Sequence, residues 1–178
     1  LTVAEIVLLR FLGGLPLYDS ICNSFSTVST GGFSPKVESI GSYDSTAADS
    51  IVTFFMLISG VNFVLLYYVS TTLLNSENPI SLRIKKSFNL FRANDELRLY
   101  FFLVLTSFSL IFVNLVLESK NNPEYASNFS HTAFQIASLL TGTGFTTVNY
   151  MDWPKMSVFV LLLAMFMGGC AGSTTGGI

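Results

Sequence analysis

Two short runs of this 178-residue chain bring glycine and hydroxyl side chains together: Ser29-Thr30-Gly31-Gly32-Phe33 and Thr141-Gly142-Thr143-Gly144-Phe145. Neither run holds a carboxylate, an imidazole or a thiol, so acid–base work and transition-metal ligation have no side chain to use there. What such runs offer is oxygen. Backbone carbonyls aimed at one axis can replace the water shell of an alkali cation without holding it too tightly to release it. Successive carbonyls share an axis only where the backbone visits dihedrals that a side chain disfavours, which Gly31, Gly32, Gly142 and Gly144 allow. Thr30, Thr141 and Thr143 can add hydroxyl oxygens.

Each run follows a short, moderately apolar stretch, residues 18–28 and 128–140. Both are too short for a hydrocarbon core that takes roughly 20 helical residues, and too apolar for loops; half-membrane re-entrant helices fit them. The surrounding chain suits lipid. Hydrophobic residues make up 51% and charged residues 11%, against the roughly 25% charged that soluble domains carry. Residues 50–76, 99–117 and 156–178 contain no charge at all, and each is long enough to be a complete span. A shorter apolar stretch, residues 6–17, is interrupted by Arg10, Gly13, Gly14 and Pro16 and reads as the end of a span cut by the start of the fragment. The chain opens on Leu1 without a basic leader and stops inside its last apolar stretch. Both ends are therefore expected to be truncated, with no signal peptide evident.

Arg83, Lys85, Lys86, Arg92 and Arg98 all fall between the second and third apolar stretches. Basic loops stay on the cytoplasmic side, which places that loop inside, residues 36–49 and 118–128 outside, and the glycine runs near the outer face.

The two halves repeat. Setting Gly32 on Gly144 places Phe33 on Phe145, Ser29 on Thr141 and Ser26 on Ser138, and a three-residue loop difference then sets Gly60 on Gly169. The order of elements repeats too: span, short helix, glycine turn, external loop, span. Non-helical backbone at membrane depth survives only where protein buries it or water reaches it, so the physical reading is a pore, with the copies parallel about an axis along the membrane normal. A helix C-terminus carries the partial negative charge a cation prefers, which gives the expected helix ends Val28 and Leu140 a part to play.

Other functions fit poorly. Nine Lys and Arg against eleven Asp and Glu leave a net charge of −2, with no basic field for nucleic acid. Cys22, Cys170 and the single His131 form no metal-ligand set, and His131 reads as a surface or capping residue. Gly142-Thr143-Gly144 lacks the Lys of a phosphate loop and any preceding strand. The long spans hold no carboxylate, histidine or basic group, as an embedded enzyme or a solute carrier would need. Asn62 reads as an interhelical hydrogen-bond partner. Gly168, Gly169 and Gly172 serve equally as small residues for close helix approach.

Three motifs carry a family resemblance: Ser26-Thr27-Val28-Ser29-Thr30-Gly31-Gly32-Phe33-Ser34, then Ile58-Ser59-Gly60-Val61-Asn62-Phe63, then Gly168-Gly169-Cys170-Ala171-Gly172-Ser173-Thr174-Thr175-Gly176-Gly177. They resemble, in order and over nearly the whole chain, the TrkH family: membrane subunits of the bacterial Trk potassium uptake system, in the Trk/Ktr/HKT superfamily. The resemblance implies an all-α membrane protein of the potassium-channel-like type. Four units of span, pore helix, filter loop and span surround one pore, and two of the four are present here. Residues 1–74 would be the second unit, with a truncated first span, pore helix 18–28, filter 29–33 and second span 51–74. Residues 75–98 would be a cytoplasmic basic linker. Residues 99–178 would be the third unit, with span 99–117, pore helix 128–140, filter 141–145 and span 156–178.

The resemblance also implies roles. Gly32 and Gly144 stand at the filter-glycine positions, the carbonyls of Thr30, Gly31, Gly142 and Thr143 would bind potassium, and Ser29 and Thr141 would line the filter's inner end. Residues 168–177 resemble an intramembrane loop that gates the pore, in which Gly168, Gly169, Gly172, Gly176 and Gly177 with Ser173, Thr174 and Thr175 suit a broken, mobile helix. The implied activity is potassium uptake across the inner cell membrane, not enzymatic, with potassium as substrate and no cofactor. A sodium-permeable or sodium-coupled relative is the alternative, with a secondary transporter of another solute behind it. The implied partners are the lipid bilayer, a second copy in a full-length homodimer, and a cytoplasmic nucleotide-binding regulatory subunit of the TrkA type docking near residues 75–98; nucleic acid is not among them.

Overall fold

The computed structural model describes residues 1–74, 94–119 and 129–176, and the regular structure among them is helical, without strands. The bulk of the basic linker, the ends at Gly177 and Ile178, and residue 128 of the expected second short helix lie outside the described residues. The chain begins with a hairpin of α1 (Thr2–Phe11) and α2 (Leu17–Val28). Gly14 turns it with φ +73°, and Pro16 precedes the first helical residue of α2, where its fixed φ costs nothing. A 3-10 turn, Ser39–Tyr43, leads to α3 (Thr46–Ser59), whose N-cap Ser45 accepts from the Ala48 amide at 3.3 Å and donates to the Gly13 carbonyl at 3.0 Å. After α4 (Phe63–Leu74) come the long α5 (Asp95–Ser119), the short α6 (Phe129–Leu140), a 3-10 turn at Tyr150–Asp152 and α7 (Lys155–Met167).

Only α5 is, on its own, long and apolar enough to cross a bilayer among the described residues; the mean hydropathy of its 18-residue apolar stretch is 2.2. The span expected over residues 51–74 is made of two helices, α3 and α4, that meet at an angle of 104°. The cause is local. A β-carbon on Gly60 would lie 2.5 Å from the Tyr100 hydroxyl, and that hydroxyl donates to the Leu57 carbonyl at 3.1 Å, so α5 presses into the helix where Gly60 leaves room. Helix kinks of this size need such a cause. The helix of the charge-free stretch 156–178 breaks where the loop over residues 168–177 is expected. It stops at Met167, and Gly168 turns the chain with φ +70°.

Three apolar clusters hold the helices together. The first joins the two halves: Leu9, Leu15, Ile40, Ala48, Val52 and Met56 from the first enclose Phe134, Ala137 and Phe145 from the second. Val61, Leu97, Tyr100, Leu140, Ala164 and Cys170 form another beneath the α3–α4 elbow. Ile111, Leu115, Ile136 and Leu161 bind α5, α6 and α7 together.

Candidate functional site

The repeat extends to individual hydrogen bonds. Past the end of α2, the Ser29 amide reaches the Phe25 carbonyl at 3.0 Å and the Thr30 amide that of Thr27 at 3.0 Å. At the end of α6, the amides of Thr141 and Gly142 bond Ala137 and Leu139 at 3.1 Å each, which are the equivalent residues. Beyond each bend the chain is pinned back onto its helix by the equivalent serine. Ser26 Oγ accepts from the Phe33 amide at 2.6 Å, and Ser138 Oγ donates to the Phe145 carbonyl at 2.6 Å.

Left-handed backbone appears at alternate positions in both bends: Thr30 (φ +54°) and Gly32 (+72°), then Gly142 (+67°) and Gly144 (+83°). Alternation of handedness turns successive carbonyls to one side, the arrangement a line of cation-facing oxygens requires. One expectation is corrected here, since Gly31 is not left-handed and Thr30 takes the conformation that glycine takes at 142. The left-handed region costs a non-glycine residue roughly 1–2 kcal/mol. Thr30 has compensation, because its Oγ1 donates to the Thr174 carbonyl at 2.9 Å, in the loop after α7.

The threonine hydroxyls are committed within the protein. Thr141 Oγ1 donates to the Ala137 carbonyl at 2.7 Å and lies 2.7 Å from Thr143 Oγ1, with both residues buried. Ser29, exposed, turns its Oγ back to the Ser26 carbonyl at 3.4 Å. The hydroxyl protons are thus used inside the protein, and Gly142 and Gly144 present an exposed backbone.

The bends meet. A methyl group on Gly32 would overlap the Thr143 carbonyl oxygen and lie 2.9 Å from its carbon. Gly142 and Gly144 have no atom within 4 Å of the same position. The flanking aromatics differ in setting: Phe145 is fully buried in the first cluster, while its equivalent Phe33 is 83% exposed. Phe145→Ala is expected to destabilise the protein by about 3–5 kcal/mol, seen as a lower unfolding temperature in detergent.

Behind the bends, Asn23 Nδ2 donates to the Tyr43 hydroxyl at 3.3 Å, and burial pushes the Tyr43 phenol above its ordinary value. The phenol therefore stays neutral and this contact persists at every pH below that of an ordinary tyrosine. His131, at the start of α6, places Nδ1 3.1 Å from Thr147 Oγ1 and so fixes the chain that leaves the second bend.

The loop after α7 lies against the elbow and the first bend. Cys170 N–H donates to the Gly60 carbonyl at 2.9 Å, Phe63 N–H to that of Gly172 at 3.1 Å, and Thr174 Oγ1 to that of Ser59 at 3.2 Å. The carbonyls that α3 frees at its broken end thus find partners on the loop, as buried helix ends must. Ser173 Oγ donates to the Cys170 carbonyl at 2.6 Å and contacts Thr175 Oγ1, which gives the loop its own internal bracing. Gly169, set on Gly60 by the repeat, packs beside it: a β-carbon there would stand 3.0 Å from the Gly60 carbonyl oxygen. Glu96, whose Oε1 accepts from the Ala171 amide at 3.4 Å, joins the loop's surroundings without having been singled out in the sequence, and Ser59, quoted within a motif, had no role assigned. The signal for Ser59 was present in Ser59-Gly60-Val61-Asn62, a break and a cap inside an apolar run. Among the described residues no group of three or more His, Cys, Asp or Glu is placed to hold a metal ion.

Comparison with known proteins adds the rest. The TrkH family, described as cation transport proteins, matches residues 3–178. The Trk system potassium uptake protein TrkG of Escherichia coli K12 is 36% identical over 178 residues, covering 100% of this chain and 33% of that protein. The TrkH potassium uptake protein of Salmonella typhimurium is 36% identical over 179 residues, covering 100% of this chain and 34% of the other. The crystal structure of the potassium transporter TrkH from Vibrio parahaemolyticus superposes with a TM-score of 0.83 at 34% identity, over 99% of this chain and 35% of that one. The chain thus spans about a third of the length of the curated relatives it matches. All-helical, with a fold matching that transporter and a family of membrane transport proteins matching almost end to end, the chain belongs to the TrkH family.

Proposed function

We propose that the two glycine bends form half of a potassium-selective filter, and that the full-length parent takes up potassium across the inner cell membrane. The observation that carries this reading is the close approach of Gly32 to the Thr143 carbonyl, between two bends of the same alternating handedness. Carbonyls of Thr30, Gly31, Gly142 and Thr143 replace the ion's water, and Ser29 and Thr141 sit at the inner end. Passage is downhill. α2 and α6 are the pore helices, ending at Val28 and Leu140 with their negative dipole ends toward the bends.

Residues 168–177 are the gate, supported by the bonds that join the loop to Thr30 on one side and to the elbow on the other. The exposed Phe33 marks where another unit of the parent covers this one, as the first half covers Phe145. The basic linker faces the cytoplasm, with the filter toward the outer face, and a nucleotide-binding regulatory subunit docks near the linker of a homodimer. The test is cation flux in liposomes carrying the full-length parent. Gly144→Ser, which forces a side chain into a left-handed position, is expected to lower the potassium-to-sodium flux ratio several-fold, since about 1 kcal/mol of local strain is at stake. An unchanged ratio removes the filter assignment.

A further inference from the structure

The elbow and the loop are joined through one side chain. Asn62 Oδ1 accepts from the amides of Val64 at 2.8 Å and Leu65 at 3.4 Å, which makes Asn62 the N-cap of α4. Its Nδ2 donates the other way, to the Ala171 carbonyl at 2.6 Å. Gly172 is left-handed, and a β-carbon there would stand 3.2 Å from Asn62 Nδ2, so the loop sits close over the amide. A pocket of about 280 Å³ lies between Glu96, Tyr100 and Leu103 of α5 and the loop's own Cys170, Ala171 and Gly172, so the loop is not packed on every side.

We infer that Asn62 is a positioning residue that clasps the loop in its closed place, and that release of the Nδ2–Ala171 bond is a step of opening. This rests on the loop being the gate. The two ends of the amide can be separated by chemistry. Asn62→Asp keeps an oxygen for the helix cap, a role in which Asp equals Asn, but turns the donor into an acceptor facing the Ala171 carbonyl. Asn62→Ser also keeps a cap and removes the amide without adding charge. Either variant leaves α4 its N-terminal partner.

Cys170 reports the loop's position, being 6% exposed and bonded through its amide to Gly60. The experiment uses the full-length parent with Cys170 as its sole cysteine, in liposomes, and measures maleimide modification of Cys170 beside potassium and sodium flux. Losing one net hydrogen bond predicts that both variants modify about two- to tenfold faster and conduct more in the same range, with the potassium-to-sodium ratio unchanged. Wild-type modification and wild-type flux in both variants overturn the clasp. If shortening the loop raises flux while Cys170 keeps its wild-type rate in both variants, the gate stands and the clasp falls. If Cys170 reacts faster but flux does not change, the gate reading falls and takes the opening step with it.

Discussion

Gly32→Ala in the full-length parent is expected to collapse potassium selectivity, and to do so far more severely than Gly142→Ala. Both positions are left-handed, so both substitutions incur strain of roughly 1–2 kcal/mol. Only at Gly32 does the new methyl group meet backbone, the Thr143 carbonyl of the other half, while at Gly142 it enters open space. A rotamer change cannot relieve a clash between main chains, so the bends must move apart. Carbonyls that no longer face one ion lose the match that favours potassium over sodium. The potassium-to-sodium flux ratio should fall at least about tenfold for Gly32→Ala, the equivalent of about 1.4 kcal/mol, and much less for Gly142→Ala. Equal losses at the two sites would show that their contact has no part in selectivity.

The second large effect is expected from the loop. Deleting residues 171–173 removes the carbonyls that accept from Asn62 and Phe63 and draws Thr174 away from Ser59 and Thr30. The two cross-links removed outright, at about 1 kcal/mol each, alone shift a closed-to-open balance by roughly thirtyfold. Basal potassium flux should rise on that scale while thermal stability changes little, because the apolar clusters keep their other members. Flux that remains at the wild-type level would remove residues 168–177 from any part in gating.

The sequence displayed the short helices well and the elbow badly, for a physical reason. An apolar stretch too short to span, followed by hydroxyl and glycine residues, has few ways to fold in lipid; the stretch read over residues 18–28 is the helix Leu17–Val28. Residues 51–74 are apolar throughout and read as one crossing, yet the chain turns by 104° there. Hydropathy records the solvent each side chain prefers and carries no term for a freed carbonyl that a segment a hundred residues later satisfies. Gly60 and Asn62 were the visible trace of that break, and Tyr100 and Cys170, which make it tolerable, are distant in sequence. Thr30 was illegible for a similar reason. Glycine content marks where left-handed backbone is easy, whereas at Thr30 a bond to Thr174 makes it tolerable for a residue with a side chain.

The first half carries an uncovered Phe33 as a plug on one flank and, on the other, the socket of Leu9, Leu15, Ile40, Ala48, Val52 and Met56 that receives Phe145 of the second half. Pieces of that kind can be added in series without new chemistry at each joint. A linear series always ends with one plug idle in oil and one socket unfilled, at any length. Cyclic closure is the arrangement that leaves neither, and it encloses an axis.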